Sequence, residues 1–437
     1  VAVERILEKA AARADRAEVF FAESETTRVT FKGGELREAG IVNGRGVGLR
    51  VFAHGRVGFA GTTDVDNVDG VVAAALTTAN YGRAADYLLP DGKGDYAAVK
   101  TFDGDAAALS PRAMVDLGEE AVATIRAADE RLVVTVEIER AVGRMRVANS
   151  AGLDRVEENT VYQFAVVVQR TTEGDILFHY DYDVSVGRDF DEMGVVRRLV
   201  DGLKWADEIV DVETGKMDVI FDPAEVPTLL LPVAACVNGA YVADRSSALA
   251  GRLGEEVVDP RVTIIDDATD GFGWMAGAFD GEGTPTRRTA VIERGVLKSY
   301  LTDLATAAQL GTVPTGHARR SATSPPQPGV SNVIVGRGEK AAADLIADTE
   351  NGILVLHTAG GSMGNVRGGE LSATIAYALK VDNGEISGRV KDCLFAGNVF
   401  EMLGPRLRAV SSDARRSGGH YMAPTVVIAD QTITAKG

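Results

Sequence analysis

The sequence predicts an α+β protein, and three observations lead there. Strand-like alternation clusters in blocks, at 18–62, 132–184 and again beyond 262, instead of taking turns with helices. Helical periodicity is confined to segments flanking those blocks, near 3–14, 66–79, 111–127 and 190–206. Glycine punctuates the strand blocks, as in FKGGELREAG and NGRGVGLRVFAHGRVGFAG. Clustered strands favour segregated helices over a doubly wound parallel sheet. The expected organisation is an antiparallel, strand-rich N-terminal and central α+β domain at 1–212, followed by a strand-rich C-terminal domain at 213–437.

Val3, Ile6, Leu7, Ala10, Ala11 and Ala14 recur at helical spacing, so the chain opens on an amphipathic helix. EVFFAES, RVTFKGGELREAG and GVGLRVFAHGRVGFAG then read as short strands of a meander joined by glycine turns. Ser110 ahead of Pro111 supplies an N-cap and a first-turn proline for the helix at 111–127. Val196, Leu199, Val200 and Leu203 mark the apolar face of the helix at 190–206. The domain boundary falls near 208–217, where EIVDVETGK runs into apolar MDVIFDP. Asp222 and Pro223 are expected to start a helix whose body, VPTLLLPVAACV, is interrupted by Pro227 and Pro232. Strands follow at 262–265 and 285–301, a helix near 302–310, and a loop, TSPPQPGVSN, at 323–332. The remainder is strand-rich, with a short helix near 340–347.

The 437 residues, 45% hydrophobic and 25% charged, suit a soluble globular chain of two or three domains. A net charge of −17, from 46 basic against 63 acidic residues, repels phosphate backbones and anionic lipid. No nucleic acid and no membrane is therefore expected as a partner; cationic peptides suit the field better. Two cysteines, Cys236 and Cys393, make neither a disulfide framework nor a CxxC pair. No signal-peptide pattern is visible, and no apolar run approaches the ~20 residues that cross a bilayer. A reduced, cytoplasmic setting is the expectation.

The five histidines, His54, His179, His317, His357 and His420, form no HExxH or HExxxH zinc motif. In ILFHYDYDV, strand alternation puts Ile176, Phe178, Tyr180, Tyr182 and Val184 on one face and His179, Asp181 and Asp183 on the other. Those three are either ligands for a divalent cation or the solvated polar face of a half-buried strand. Gly360-Gly361-Ser362-Met363-Gly364 matches GxSxG, with Asp382, Asp392, Asp413 and His420 downstream, but NVRGGELS is a poor start for the helix that a nucleophile elbow needs. A glycine hairpin or close-approach loop is the plainer reading there. Asp266-Asp267 and the pair Asp280 and Glu282 are carboxylate groupings that either face a cleft or make acidic turns.

Three segments together resemble the TldD/PmbA family, whose members were called modulators of DNA gyrase and act in cytosolic peptide proteolysis. They are FFAESETTRVTFKGGELREAGIVNGRGVGLRVFAHGRVGFAGTTD, TIIDDATDGFGWMAGAFDGEGTPTRRTAVIERGVLKSYLTDLATAAQLG and DCLFAGNVFEML, and the resemblance covers nearly the whole chain. The TldD branch carries HExxxH on the helix after the central boundary. Here that region reads AEVPTLLLPVAACVNGAYVADRSSALAGRLGEE, with no histidine between His179 and His317, so the chain resembles the PmbA (TldE) branch. Arg319-Arg320-Ser321 looks more like the TldD branch. The resemblance implies a chain that binds no cofactor itself, with zinc in a TldD-type partner of a heterodimer, or a homodimer when alone. It implies unfolded peptides as substrates, added as a strand beside the glycines of 360–369. The substrate-binding candidates it carries are Asp280, Glu282, Gly283, His317, Arg319, Arg320, Gly360, Gly361, Asn365 and His420. No catalytic or metal-binding residue is assigned. Two rivals stand beside this reading: a self-sufficient hydrolase, using Ser362 or a metal on His179, Asp181 and Asp183, and a non-enzymatic peptide-binding protein.

Overall fold

The computed structural model describes residues 2–360 and 364–435. The fold is α+β, built on two large sheets. The first has β1 (Arg16–Lys32), β2 (Glu35–Ala53), β3 (Arg56–Thr62), β4 (Val133–Asn149), β5 (Asp154–Thr172) and β6 (Asp175–Ser185), in the order β3-β2-β1-β4-β5-β6. Every pairing in it is antiparallel. Helices α1 (Ala2–Ala11) and α2 (Val68–Ala79) bury Val3, Ile6, Val71 and Ala75 against Val19, Val47 and Leu49. After the short α3 (Gly104–Ala107), helix α4 (Pro111–Ala128) starts where Ser110 Oγ accepts from the Ala113 N–H at 3.2 Å. Helix α4 and α5 (Glu192–Gly202) lie over the other part of the sheet, burying Met114, Ile125, Val196 and Leu199.

The expected meander of short strands is in fact a few very long ones. β1 and β2 run 17 and 19 residues, and the glycines of NGRGVG sit inside β2, not in turns. Their use is close approach. A Cβ on Gly48 or Gly61 would stand 2.7 or 2.5 Å from the Ala322 carbonyl oxygen, a backbone atom of the other domain. Replacing Gly61 with leucine is therefore expected to unseat that contact and cost about 1–3 kcal/mol, the usual penalty of overpacking. Denaturant melts of parent and variant check this; identical midpoints would show that nothing packs there.

The second sheet contains β7 (Gly215–Phe221), β8 (Ile264–Asp267), β9 (Arg288–Glu293) and β10 (Val296–Leu297). β11 (Ala318–Ser321) and β12 (Ser324–Pro328) stand apart as an antiparallel ribbon whose tip carries Ala322. The expected loop at 323–332 is thus half strand. Prolines are tolerated because this ribbon has two outer edges and no interior strand. The second sheet continues with β13 (Val333–Val335), β14 (Asn351–Ala359), β15 (Glu370–Asp382), β16 (Glu385–Val390), β17 (Cys393–Asn398), β18 (Leu407–Ser417) and β19 (Tyr421–Ala435). β7 pairs in parallel with β14 and antiparallel with β19, so β7, β14, β15, β17 and β19 close into a ring.

Helix α6 (Val226–Val237) packs on this sheet through Leu229, Leu230, Val233 and Cys236. It begins later than expected and is not broken. Asp222 Oδ1 instead accepts from the Ala224 N–H in a turn, and Pro227 falls in the first turn, where its missing N–H costs nothing. Pro232 lies inside the helix and is itself buried. Helices α7 (Gly239–Ala243) and α8 (Leu304–Leu310) follow. The two sheets are not independent: Ile220, Leu354, Tyr377, Leu379 and Val427 of the second share one core with Val136 and Phe164 of the first and Leu199 of α5.

Candidate functional site

Strand alternation in β6 is as expected, but the faces are exchanged. His179 and Asp183 are buried, whereas Ile176, Phe178 and Tyr182 are 65%, 41% and 38% exposed. The period of a strand says which residues share a face, and only the partner layer decides which face is covered. Here the second sheet covers the polar side. His179 meets His357 of β14, sharing a hydrogen bond of 2.8 Å between Nδ1 and Nε2. Tyr377 stacks on His179 with centroids 4.7 Å apart, and Tyr180 stacks on His357 at 3.9 Å. Glu225, at the N-cap of α6, places Oε1 3.8 Å from His357 Nδ1, while Oε2 accepts from Thr358 Oγ1 at 2.6 Å. A cleft of about 260 Å³ opens beside this cluster, lined by His179, Tyr180, Asp181, Arg198, His357 and Arg415 among others.

Burial sets the protonation states. It pushes His179 down to about 3 and His357 down to about 4, so both imidazoles are neutral at pH 7. Burial also raises the Glu225 carboxyl to about 7, against the opposing hydrogen bond from Thr358. A carboxyl that titrates near neutrality beside two neutral imidazoles can accept or donate a proton without leaving physiological pH. Neither His357 nor Glu225 is marked as functional by its sequence neighbours. The two lie 132 positions apart in the chain, and nothing local in DPAEVP or LVLHTA links them.

The proposed cation site on β6 is not assembled. His179 faces His357, Asp181 accepts from Arg198 Nε at 2.7 Å, and Asp183 accepts from Arg416 Nε at 2.8 Å. For the serine alternative, no carboxylate among the described residues hydrogen-bonds His420. Ser362 lies outside the described residues, as does Gly361. His420 Nδ1 bonds the Gly418 carbonyl at 2.8 Å, Asp382 accepts from Lys380 and Ser387, and Asp413 accepts from the Ala342 N–H.

Most of the other candidates gather in a buried seam between the two sheets. Asp280 closes a tight turn: Oδ1 accepts from the N–H groups of Glu282 and Thr284 at 2.9 and 3.0 Å, and Oδ2 from Ala318 at 3.0 Å. Gly283 in that turn has φ +80° and abuts Leu153. Glu282 pairs with Arg50 of β2 and accepts from the Leu304 N–H at 2.7 Å. Arg50 also bonds Glu18 of β1 at 2.7 Å, and Arg320 pairs with the same Glu18. Burial raises the carboxyls of both Asp280 and Glu282; three backbone N–H groups oppose it at the first and Arg50 at the second. His317 Nδ1 contacts Thr315 Oγ1 at 2.9 Å and its Nε2 lies 3.1 Å from Asp266. Arg319 is buried beside them, with Nε donating to the Val330 carbonyl at 3.1 Å. Gly360 ends β14 with φ +77°, Asn365 caps the single turn Val366–Gly368, and His420 meets Trp274 edge-on. These last three do not join the seam's charge network.

Three family models account for nearly all of the chain. The PmbA/TldA metallopeptidase domain 1 matches residues 17–79, the central domain 104–211, and the C-terminal domain 214–435. The chain belongs to the PmbA/TldA metallopeptidase family. A metalloprotease of Methanothermobacter thermautotrophicus is 28% identical over 92% of this chain and 89% of its own. Metalloprotease PmbA of Escherichia coli O157:H7 is 24% identical over 98% and 96%. Among solved structures, TldE from Thermococcus kodakarensis superposes with a TM-score of 0.90 at 22% identity over the whole of both chains. A Thermotoga maritima structure, described as a candidate modulator of a DNA gyrase, gives 0.88 at 23% over 99% and 100%. No helix among the described residues is long and apolar enough to cross a membrane.

The name of the PmbA/TldA family implies a metal, and the side chains can be tested against one. Helix α6 turns Leu229, Leu230, Val233 and Cys236 into the core, and the Cys236 thiol donates to the Arg367 carbonyl at 3.2 Å. Leu230, Val233, Ala234 and Val237 also line a cavity of only about 20 Å³, with Asp266 as its one charged neighbour. Among the described residues no three His, Cys, Asp or Glu side chains converge on a common point. The donor set does not fit a zinc centre.

Proposed function

We propose that this PmbA/TldA chain is the zinc-free, TldE-like subunit of a heteromeric peptidase, binding unfolded peptide beside a TldD-type partner that supplies the metal. The observation that carries the reading is α6, which offers leucine, valine and alanine where a metallopeptidase needs ligands. The whole-chain likeness to TldE supports it. In such an assembly this chain contributes shape and binding, and no bond-breaking step is assigned to it. Its acidic balance favours basic peptides through long-range attraction.

Elemental analysis tests the reading. Chain purified alone without a histidine tag is expected to hold far less than one equivalent of zinc. Co-expressed with a TldD-type partner, the pair is expected to co-elute with about one zinc and to cleave unfolded peptide. Stoichiometric metal in the isolated chain would overturn the proposal and make it an enzyme in its own right.

A further inference from the structure

A second cleft, of about 740 Å³, opens on the C-terminal domain and shares no lining residue with the histidine cleft. Its volume suits a small ligand or a short peptide end. Arg245, just after α7, and Lys298, just after β10, are the charged residues that line it; no carboxylate does. In a chain with 63 acidic against 46 basic residues, that is a local reversal of sign. The nearby acids are engaged elsewhere or at the rim: Glu255 accepts from Arg252 Nε at 2.8 Å, Asp244 from the Ser246 N–H at 2.9 Å, and Glu293 lies 3.9 Å from Lys298.

Among the described residues, Arg245 is the free cation of the cleft. Its φ of +61° is left-handed, which L side chains rarely adopt, and its guanidinium has no ion pair or hydrogen bond among the described residues. The left-handed turn is the ordinary exit of a short helix, and it leaves the Arg245 guanidinium free to take a ligand. The rest of the lining is mixed. Val242, Leu253 and Leu310 are apolar, and Thr302 and Thr315 line the cleft with hydroxyls that bond each other at 3.3 Å. Leu253 is 51% exposed, leaving apolar surface to be covered. Thr315 also contacts His317, so the cleft is tied to the buried seam.

We propose that this cleft binds the free carboxylate end of a peptide. Arg245 grips the carboxylate through its planar fork, Lys298 adds positive charge, and Val242, Leu253 and Leu310 cover an apolar last side chain. The proposal deepens the peptide-binding reading above and rests on it. An inorganic anion shares the same chemistry at Arg245, so the test separates the two.

The experiment is fluorescence anisotropy on the full chain with a dye-labelled pentapeptide ending in leucine, as the free acid and as the C-terminal amide. The free acid is expected to bind at least tenfold more tightly. Arg245→Gly is expected to abolish that preference while melting no lower than the parent, because glycine accepts φ +61° without strain. Lys298→Gln is expected to weaken acid binding several-fold. Equal binding of acid and amide, or an acid preference that survives in Arg245→Gly, would overturn the carboxylate site and leave the peptide reading standing. Inorganic phosphate binding that Arg245→Gly removes, with no acid preference, would overturn it in favour of a free-anion site. Failure to bind either peptide, with and without the TldD-type partner, would remove both readings.

Discussion

Replacing Arg50 with alanine is expected to destabilise the protein by about 3–5 kcal/mol, because it leaves the buried Glu282 without a cation and takes one of two arginines from Glu18. Arg50 is 4% exposed, and its partners Glu18 and Glu282 are fully buried. The guanidinium joins β2 to β1 on one side and to the turn after Asp280 on the other, so its removal weakens the contact between the sheets as well as the fold. Arg320 still pairs with Glu18 in the variant, which leaves Glu282 as the group most exposed to the loss. Denaturant unfolding at neutral pH measures the effect. Adding Glu282→Gln to the variant is expected to restore part of the stability, since an amide tolerates burial better than an unpaired charge. A loss below about 1 kcal/mol in Arg50→Ala would mean that water reaches the seam.

Acid is expected to draw down what the two buried histidines contribute to stability. His179 and His357 are held at about 3 and 4, below the ordinary histidine value of 6.5, so the unfolded chain binds protons that the folded chain refuses. Their contribution is complete above pH 6.5 and is lost as pH falls towards 3. Glu225 acts in the opposite sense: its carboxyl is raised to about 7, so the folded chain takes up a proton between 7 and 4.5 that the unfolded chain does not. Within this cluster two histidines against one glutamate leave a net loss on the order of 5 kcal/mol between pH 6.5 and 3. The raised carboxyls of Asp280 and Glu282 act in the sense of Glu225, so the histidine share is read as the difference in acid slope between parent and variant. Urea unfolding across that range checks it. In the double variant His179→Phe, His357→Phe the acid slope is expected to flatten, and stability is expected to rise from pH 7 to 4.5 as the raised carboxyls, Glu225 among them, take up protons. An unchanged acid slope would place the sensitivity elsewhere.

Much of the architecture was legible in local patterns. Ser110-Pro111 marked a helix start, and the alternation in EVFFAES and ILFHYDYDV marked strands, because backbone sterics and capping act within a few residues. Misreadings arose where the deciding atom lay far away. Gly46 and Gly48 looked like turns, since glycine serves both turns and close approach, and only Ala322 tells them apart. Pro232 looked like a break, yet packing against the second sheet keeps the helix continuous. The polar face of β6 looked solvated because nothing in nine residues announces the layer that covers it. The candidate residues divide in the same way. The turn built on Asp280 could be read from AFDGEG, but the pairing of Glu282 with Arg50 spans 232 positions and that of Arg320 with Glu18 spans 302. Glu225 and His357 gave no local sign at all.

The ring in the second sheet carries a consequence for the order in which the molecule can be made. β19 contributes pairings to β7, β13, β17 and β18, and it is the final strand. A growing chain leaving the ribosome can complete the first sheet once residue 185 has emerged, because all six strands are then present. The second sheet has no such early stage. With β7 waiting from residue 215 for a neighbour that arrives at 421–435, one of its edges stays unpaired while residues 222–420 are made. The nascent chain therefore passes through a long interval with one finished sheet and one unfinished, and the arrival of β19 is the latch that ends it.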